Sequence, residues 1–264
     1  MREKVVVITG GSGGIGAALA TLVAGRGARP VLVARREKEL REVAARCGPE
    51  ATAVVADVTV RAEVERALAA ALARWGRVDV WVNNAGRGIT RPVSELTDED
   101  LDDMIRVNVK SALYGMQAVL PHFKERGSGQ IVNVSSMLAR VPYAVQRSAY
   151  SAAKHALSAL TANLRMELAE RYPDIHVTTV HPGVVATDFG LNALHGGVDS
   201  RVIPGAQSAE QVAEVIAGVI ERPRADVYTR PDGQRMVCDY FAAGDMGEAE
   251  RRPPFVRRPP ARTS

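Results

Sequence analysis

The stretch VVVITGGSGGIG, residues 5–16, sets four β-branched residues and a threonine directly against a glycine-rich turn. Its first half reads as a short buried strand. The residues that follow, roughly 14–26, have helical apolar spacing, so the glycines lie where a strand hands over to a helix. Glycines there let a backbone approach a pyrophosphate closely, and the helix start offers free N–H groups and a partial positive charge. A G-x-G-x-x-G can be read at Gly11, Gly13 and Gly16, although so glycine-rich a stretch also serves as a tight turn.

The same alternation continues outward. VVVIT (5–9), PVLVA (30–34), TAVVA (52–56), VDVWVN (78–83), QIVNVS (130–135), HVTTV (176–180) and DVYT (226–229) read as strands. Helix-like segments at 14–26, 36–46, 60–74, 98–125, 149–171 and 208–221 separate them. Near-continuous apolar strands alternating with helices predict an α/β fold: one parallel sheet covered on both faces. No repeat or linker divides the chain, so residues 1–250 are expected to form one domain. Its longest irregular segment, 182–207, has the length of a lid or substrate loop. Met236, Val237, Tyr240 and Phe241 suggest a further short amphipathic helix.

Bulk properties narrow the function. The 264 residues carry a net charge of +4, but the tail RRPPFVRRPPARTS (251–264) holds five arginines and no acid. Without it 29 basic residues face 30 acidic ones, so the body gives no electrostatic reason to expect nucleic acid, and the Pro/Arg-rich tail reads as disordered. No apolar run has the length of a membrane span, and the first residues are too short for a secretory signal, which predicts a cytoplasmic protein. Cys47 and Cys238 have neither metal-ligand nor redox spacing, and the five histidines form no metal-spaced cluster.

After the second strand an NAD site wants an acid for the ribose 2′-hydroxyl. Here stand Arg35 and Arg36. Guanidinium groups suit a 2′-phosphate, which points to NADP; alternatively the two arginines begin a solvated helix beside Glu37. Tyr150-Ser-Ala-Ala-Lys154 sets a phenol and an ammonium four residues apart, on one face of a helix. An adjacent cation favours the phenolate and is expected to lower the phenol's pKa.

Thr9-Gly10-x-x-x-Gly14-x-Gly16, Asn83-Asn84-Ala85-Gly86, Ser135-Ser136 and Tyr150-x-x-x-Lys154 occur in that order. Together with Asp57, Asn108 and Pro182-Gly183-x-Val185-x-Thr187, this pattern resembles the short-chain dehydrogenase/reductase family over roughly residues 4–230. The resemblance implies a Rossmann-like doubly wound parallel sheet and a carbonyl–alcohol oxidoreductase. It implies Tyr150 as acid/base, Lys154 as holder of the nicotinamide ribose, Ser136 as the group polarising the carbonyl, and Asn108 as part of a water relay. It assigns Gly10, Gly14 and Gly16 to the pyrophosphate turn and Asp57 to the adenine, with Ser12, Ile15 and Val58 also expected to bind the cofactor. Asn84, Ala85 and Gly86 would lie beside the nucleotide, Val185 and Thr187 would meet the carboxamide, and Pro182 and Gly183 are also expected to bind the cofactor. NADP(H) is the expected cofactor, with NAD(H) possible, and a homodimer or homotetramer the expected assembly.

Two departures from the family pattern stand out. Ser136 lies fourteen residues before Tyr150, one more than is commonest, which leaves Ser135 as an alternative polarising serine. Gly13 occupies a position where some NADP-preferring members carry a basic residue. Met137, Leu138, Val141, Tyr143, Val145, Phe189, Leu191, Leu194, Val202 and Ile203 are candidates to line a cleft for a partly apolar small molecule. Asn83 and His181 read as structural, His155 as packing or solvent-facing, and His195 as a polar loop residue with a substrate contact as the alternative. Two other functions remain open: reduction of an imine or activated alkene, and a nucleotide-binding scaffold or regulator without turnover.

Overall fold

The computed structural model describes residues 1–255. Seven strands form one parallel sheet: β1 (Val5–Thr9), β2 (Arg29–Ala34), β3 (Thr52–Val55), β4 (Val80–Asn83), β5 (Gly129–Val134), β6 (Ile175–His181) and β7 (Asp226–Tyr228). Their spatial order is β3-β2-β1-β4-β5-β6-β7. The order reverses between β1 and β4, and a crevice at the carboxyl ends of strands at such a reversal is where ligands bind in open α/β sheets.

The strands are largely apolar because both faces are covered. Successive side chains alternate faces. Val6 and Ile8 pack toward α1 (Gly14–Gly25), α2 (Glu37–Cys47) and α7 (Ala209–Glu221). Val5 and Val7 pack toward α3 (Arg61–Trp75), α5 (Ser111–Arg126) and α6 (Ser148–Leu168). Gly115 lets α5 press against the sheet: a Cβ there would collide with Asn83 Oδ1 and Trp81 Nε1. Asn83 is structural, as expected, but it braces the layer with its side chain. Its amide donates to the Ala112 carbonyl and to Asn133 Oδ1, and Trp81 Nε1 donates to its oxygen.

The segment expected as one helix over 98–125 is built from three parts. α4 (Asp98–Ile105) starts at a capping box made by Thr97 and Asp100. A π-helical turn, Arg106–Lys110, follows, and α5 then runs to Arg126. The cause of the widened turn lies in Asn108: its side-chain amide donates to the Met104 carbonyl at 3.1 Å, the acceptor that a regular α-helix reserves for the Asn108 backbone N–H. The helix expected over 149–171 ends at Leu168, just ahead of Pro173. The strand expected from residue 78 begins at Val80, since the Val78 N–H is taken by His122 Nε2.

α8 (Gly233–Phe241) includes the four residues of the expected amphipathic segment, and α9 (Met246–Glu250) follows it. The Tyr240 ring stacks on Phe255 with centroids 5.3 Å apart. The remainder of the basic tail, 256–264, lies outside the described residues. Among the described residues no helix is long and apolar enough to cross a membrane.

Candidate active site

At the sheet's switch point a cavity of about 370 Å³ opens between the β1–α1 turn, the ends of β4, β5 and β6, and the start of α6. Ser136, Tyr150 and Lys154 line it at one end, and Gly10, Gly14, Ile15 and Arg36 at the other. A larger groove of about 670 Å³ runs along the outside of α1, sharing Gly13, Gly14 and Thr187, but it contains none of Ser136, Tyr150 and Lys154.

The glycine turn is shaped by close approach. Gly10 (φ 69°) and Gly14 (φ 52°) have left-handed backbones that a side chain would strain. A Cβ at Gly16 would collide with the Gly10 carbonyl and come within 2.7 Å of Asn84 Nδ2. Asn84 in turn is anchored on β1: its backbone N–H donates to Thr9 Oγ1 at 3.0 Å and its amide to the Thr9 carbonyl at 2.9 Å. Three of these residues thus fix one another with no room for a further carbon.

Tyr150 and Lys154 are 7 % and 3 % exposed, on the face of α6 that meets the cavity. Lys154 Nζ donates to the Val134 carbonyl at 2.9 Å and lies 5.7 Å from the Tyr150 ring centre. The expected lowering of the phenol's pKa does not hold in this environment. Burial pushes Tyr150 up to about 12, against smaller downward effects from the Ser136 hydroxyl and the Arg147 guanidinium. Burial also pulls Lys154 down to about 8. Desolvation of each charged form outweighs their mutual influence.

The two serines have different surroundings. Ser135 Oγ is tied to the Lys154 carbonyl and to Ser158 Oγ at 2.9 Å, which leaves it as a brace of α6. Ser136 Oγ accepts the Leu138 N–H at 3.1 Å and retains its hydroxyl proton for another partner. The Ser136 carbonyl is held by His181 Nδ1 (3.1 Å), whose other nitrogen pairs with Asp226 (3.0 Å). His181 is therefore structural, as expected. The hydrogen bond from His181, with Arg140 adding to it, draws Asp226 down to about 2.

The remaining candidates divide. Asn84, Ala85, Gly86, Pro182, Gly183, Val185 and Thr187 line the cavity. Asn108 does not: it is buried behind Gly86, with its amide donating to the Arg87 and Met104 carbonyls. Gly16 supports the turn from below, and Ser12 takes the Arg36 guanidinium (Nε to Oγ, 3.3 Å). Arg35 is exposed and pairs with Asp57 at 3.6 Å, so Arg35, Asp57 and Val58 flank the cavity without lining it. Burial acts to raise the Asp57 carboxyl, but hydrogen bonds from Thr59 and the nearby Arg35 bring it below the usual range.

Of the apolar candidates, Leu138, Tyr143, Phe189 and Ile203 line the cavity. Met137 and Val141 are fully packed, while Val145, Leu191 and Val202 face outward. The long loop is fastened across the site. Thr90 N donates to the Leu194 carbonyl, Leu194 N donates to the Gly88 carbonyl, and His195 Nε2 lies 2.6 Å from Asp100 Oδ1. The Phe189 ring meets Tyr150 edge-on at 5.4 Å.

Arg147, Asn192 and Ser200 also line the cavity and carried no sequence signal strong enough to single them out. Arg147 stands three residues before Tyr150, immediately ahead of α6. Among the described residues no group of three His, Cys, Asp or Glu side chains is set to hold a metal.

Comparison with known proteins gives the family. The short chain dehydrogenase family description matches residues 4–195. The chain belongs to the short-chain dehydrogenase family. An uncharacterized oxidoreductase of Staphylococcus epidermidis is 38 % identical over 196 residues, covering 72 % of this chain and 84 % of that protein. The crystal structure of 3-ketoacyl-(acyl-carrier-protein) reductase from Brucella melitensis complexed with NADH superposes with a TM-score of 0.78 at 31 % identity, covering 86 % of this chain and 96 % of that one. The alcohol dehydrogenase of Thermococcus sibiricus, complexed with 5-hydroxy-NADP, gives 0.75 at 30 % identity, covering 86 % and 95 %. Family membership places this chain among the oxidoreductases, and both of these structural relatives carry a nicotinamide dinucleotide.

Proposed function

We propose that the protein interconverts a carbonyl and a secondary alcohol using a nicotinamide dinucleotide, preferably NADP(H), with Tyr150 as the acid/base. The observation that carries this reading is the single cavity that joins a glycine turn with no room for a Cβ to the Ser136–Tyr150–Lys154 cluster.

The residues present fit such a cofactor. The turn at Gly10, Gly14 and Gly16 exposes backbone without side chains at the start of α1, where a pyrophosphate is favoured. Arg36 lies over that turn and would meet a 2′-phosphate, while Lys154 would hold the nicotinamide ribose. Val185 and Thr187 would flank the carboxamide. When bound in its reduced form, the dinucleotide supplies a hydride.

The chain's own groups manage the oxygen. Ser136 Oγ donates to the substrate carbonyl and polarises it. The Tyr150 phenol, kept neutral by burial, holds the proton that the oxygen takes up as it becomes an alcohol. Lys154 is mostly protonated at neutral pH and counters negative charge that forms beside it. A buried, neutral phenol is poised to donate its proton in reduction, and oxidation runs the same path backward. Leu138, Tyr143, Phe189 and Ile203 suit a partly apolar substrate and keep water from the reacting carbon.

The test is a fluorescence titration with NADPH and NADH, followed by a panel of ketones, alcohols, imines and enones. NADPH preference with ketone or alcohol turnover supports the proposal. Turnover confined to imines or enones would reject the carbonyl reading, and binding of neither dinucleotide would reject both parts.

A further inference from the structure

The cavity contains one cation that neither the turn nor the ribose accounts for. Arg147 is the residue immediately before α6, three positions ahead of Tyr150. Its guanidinium lies against the wall made by Gly88 and Phe189. Nη1 donates to the Ile89 carbonyl at 3.1 Å, and a Cβ on Gly88 would come within 2.8 Å of Nη1 and 3.0 Å of the Phe189 ring. Phe189 is the same ring that meets Tyr150 edge-on. The charge is therefore at the substrate end of the cavity.

Other partly buried arginines in this chain have carboxylates. Arg91 pairs with Asp100, Arg126 with Asp79, and Arg140 and Arg165 with Asp226. Among the described residues Arg147 has no carboxylate within 4 Å, although half of it is withdrawn from water. The one acid on the cavity wall, Asp188, is bound to Arg201 at 2.9 Å. Nor does α6 offset the charge at its start: no side chain caps it and no acid stands in its first turn. A cation held from solvent without a counter-charge is costly, and a ligand that supplies the charge is correspondingly favoured.

We propose that Arg147 recognises a carboxylate on the substrate, which makes the preferred substrate an oxo or hydroxy acid with an apolar body. This rests on the reading of the cavity as a carbonyl–alcohol site and names its substrate class. A single guanidinium matches a carboxylate's one charge and planar pair of oxygens. The apolar walls at Leu138, Tyr143 and Ile203 take the rest of the molecule. Phe189 neighbours both the guanidinium and Tyr150, so a carboxylate held by Arg147 belongs near the reacting carbon.

The decisive measurement needs no turnover. The protein saturated with whichever oxidised dinucleotide it binds is titrated calorimetrically with hexanoate and with hexanamide, which have the same length and differ in charge. Wild type is expected to bind hexanoate about tenfold more tightly. R147Q is expected to bring that ratio near one, and R147K to keep part of it. Equal binding of the two ligands by wild type, or binding of neither, overturns the proposal without needing a variant. An unchanged ratio in R147Q also overturns it, and so does an equal loss of both ligands, which would make Arg147 a part of the cavity wall. Failure of the reaction is read separately: hexanoate preference without turnover of any carbonyl compound rejects the proposed reaction and leaves the carboxylate subsite standing.

Discussion

Lys154 stands one turn beyond Tyr150 on α6, its nitrogen 5.7 Å from the phenol ring centre, yet the two groups titrate away from each other because both are buried. With Tyr150 near 12 and Lys154 near 8, both carry their protons at pH 7. Tyr150→Phe removes the donated proton and little else. Steady-state assays should find turnover reduced by about 10²–10⁴-fold, with dinucleotide affinity in a fluorescence titration largely kept. Substantial remaining turnover would exclude Tyr150 as the acid/base.

The two arginines after β2 should separate by experiment. Arg36 lies on the glycine turn and lines the cavity, whereas Arg35 extends outward to Asp57. Arg36→Ala is expected to weaken NADPH binding by about tenfold, the scale of one charge-assisted hydrogen bond, while NADH changes little. Arg35→Ala should have the smaller effect. Paired titrations of the two variants decide it, and an equal loss for NADPH and NADH in Arg36→Ala would remove the phosphate assignment.

Gly16→Ala tests the turn without touching a charge. Its methyl would overlap the Gly10 carbonyl and crowd Asn84, so the turn must open. Overpacking of this kind costs about 1–3 kcal/mol. Thermal melting should register the loss of stability, and dinucleotide binding should fall more steeply than the melting temperature suggests. Normal binding in the variant would show the turn to be roomier than described.

Acid should loosen the floor of the site through Asp226. Its folded-state pKa of about 2 lies below the ordinary value, chiefly through its hydrogen bond with His181. A depressed carboxylate contributes stability that is complete above its unfolded pKa of about 3.9 and is lost as pH falls toward 2. After solvent screening the contribution is on the order of 1–2 kcal/mol. Asp226→Asn should therefore melt lower than wild type at pH 6, and the difference should shrink between pH 4 and pH 2. A difference that stays constant across that range would rule out the charge as its source.

Much of this was legible in the sequence because it rests on local rules. The apolar runs became strands since a sheet covered on both faces has no polar side to mark. Tyr150 and Lys154 share a cavity because helical spacing puts them on one face. What escaped depended on contacts distant in the chain. The fastening of His195 to Asp100 spans 95 positions and has no local pattern. Arg147 looked like one more polar residue before a helix until Gly88 and Phe189 came to lie beside it. The pKa of Tyr150 was misjudged because spacing reveals a neighbouring cation but not the depth at which both groups are buried.

The π turn at Arg106–Lys110 also fixes how far this part of the chain can change in length. It behaves as a single residue inserted into a helix. Deleting one position there would let the backbone relax to regular spacing with the faces on either side close to where they are, whereas deleting one position within α5 would rotate everything before it by about 100°. Asp100, the residue that fastens the long loop through His195, lies on that side. The turn is therefore the place where this helix can lose a residue, whereas a deletion inside α5 would turn Asp100 away from His195 and unfasten the loop over Tyr150. Length has slack at the wide turn and none in the regular helix beyond it.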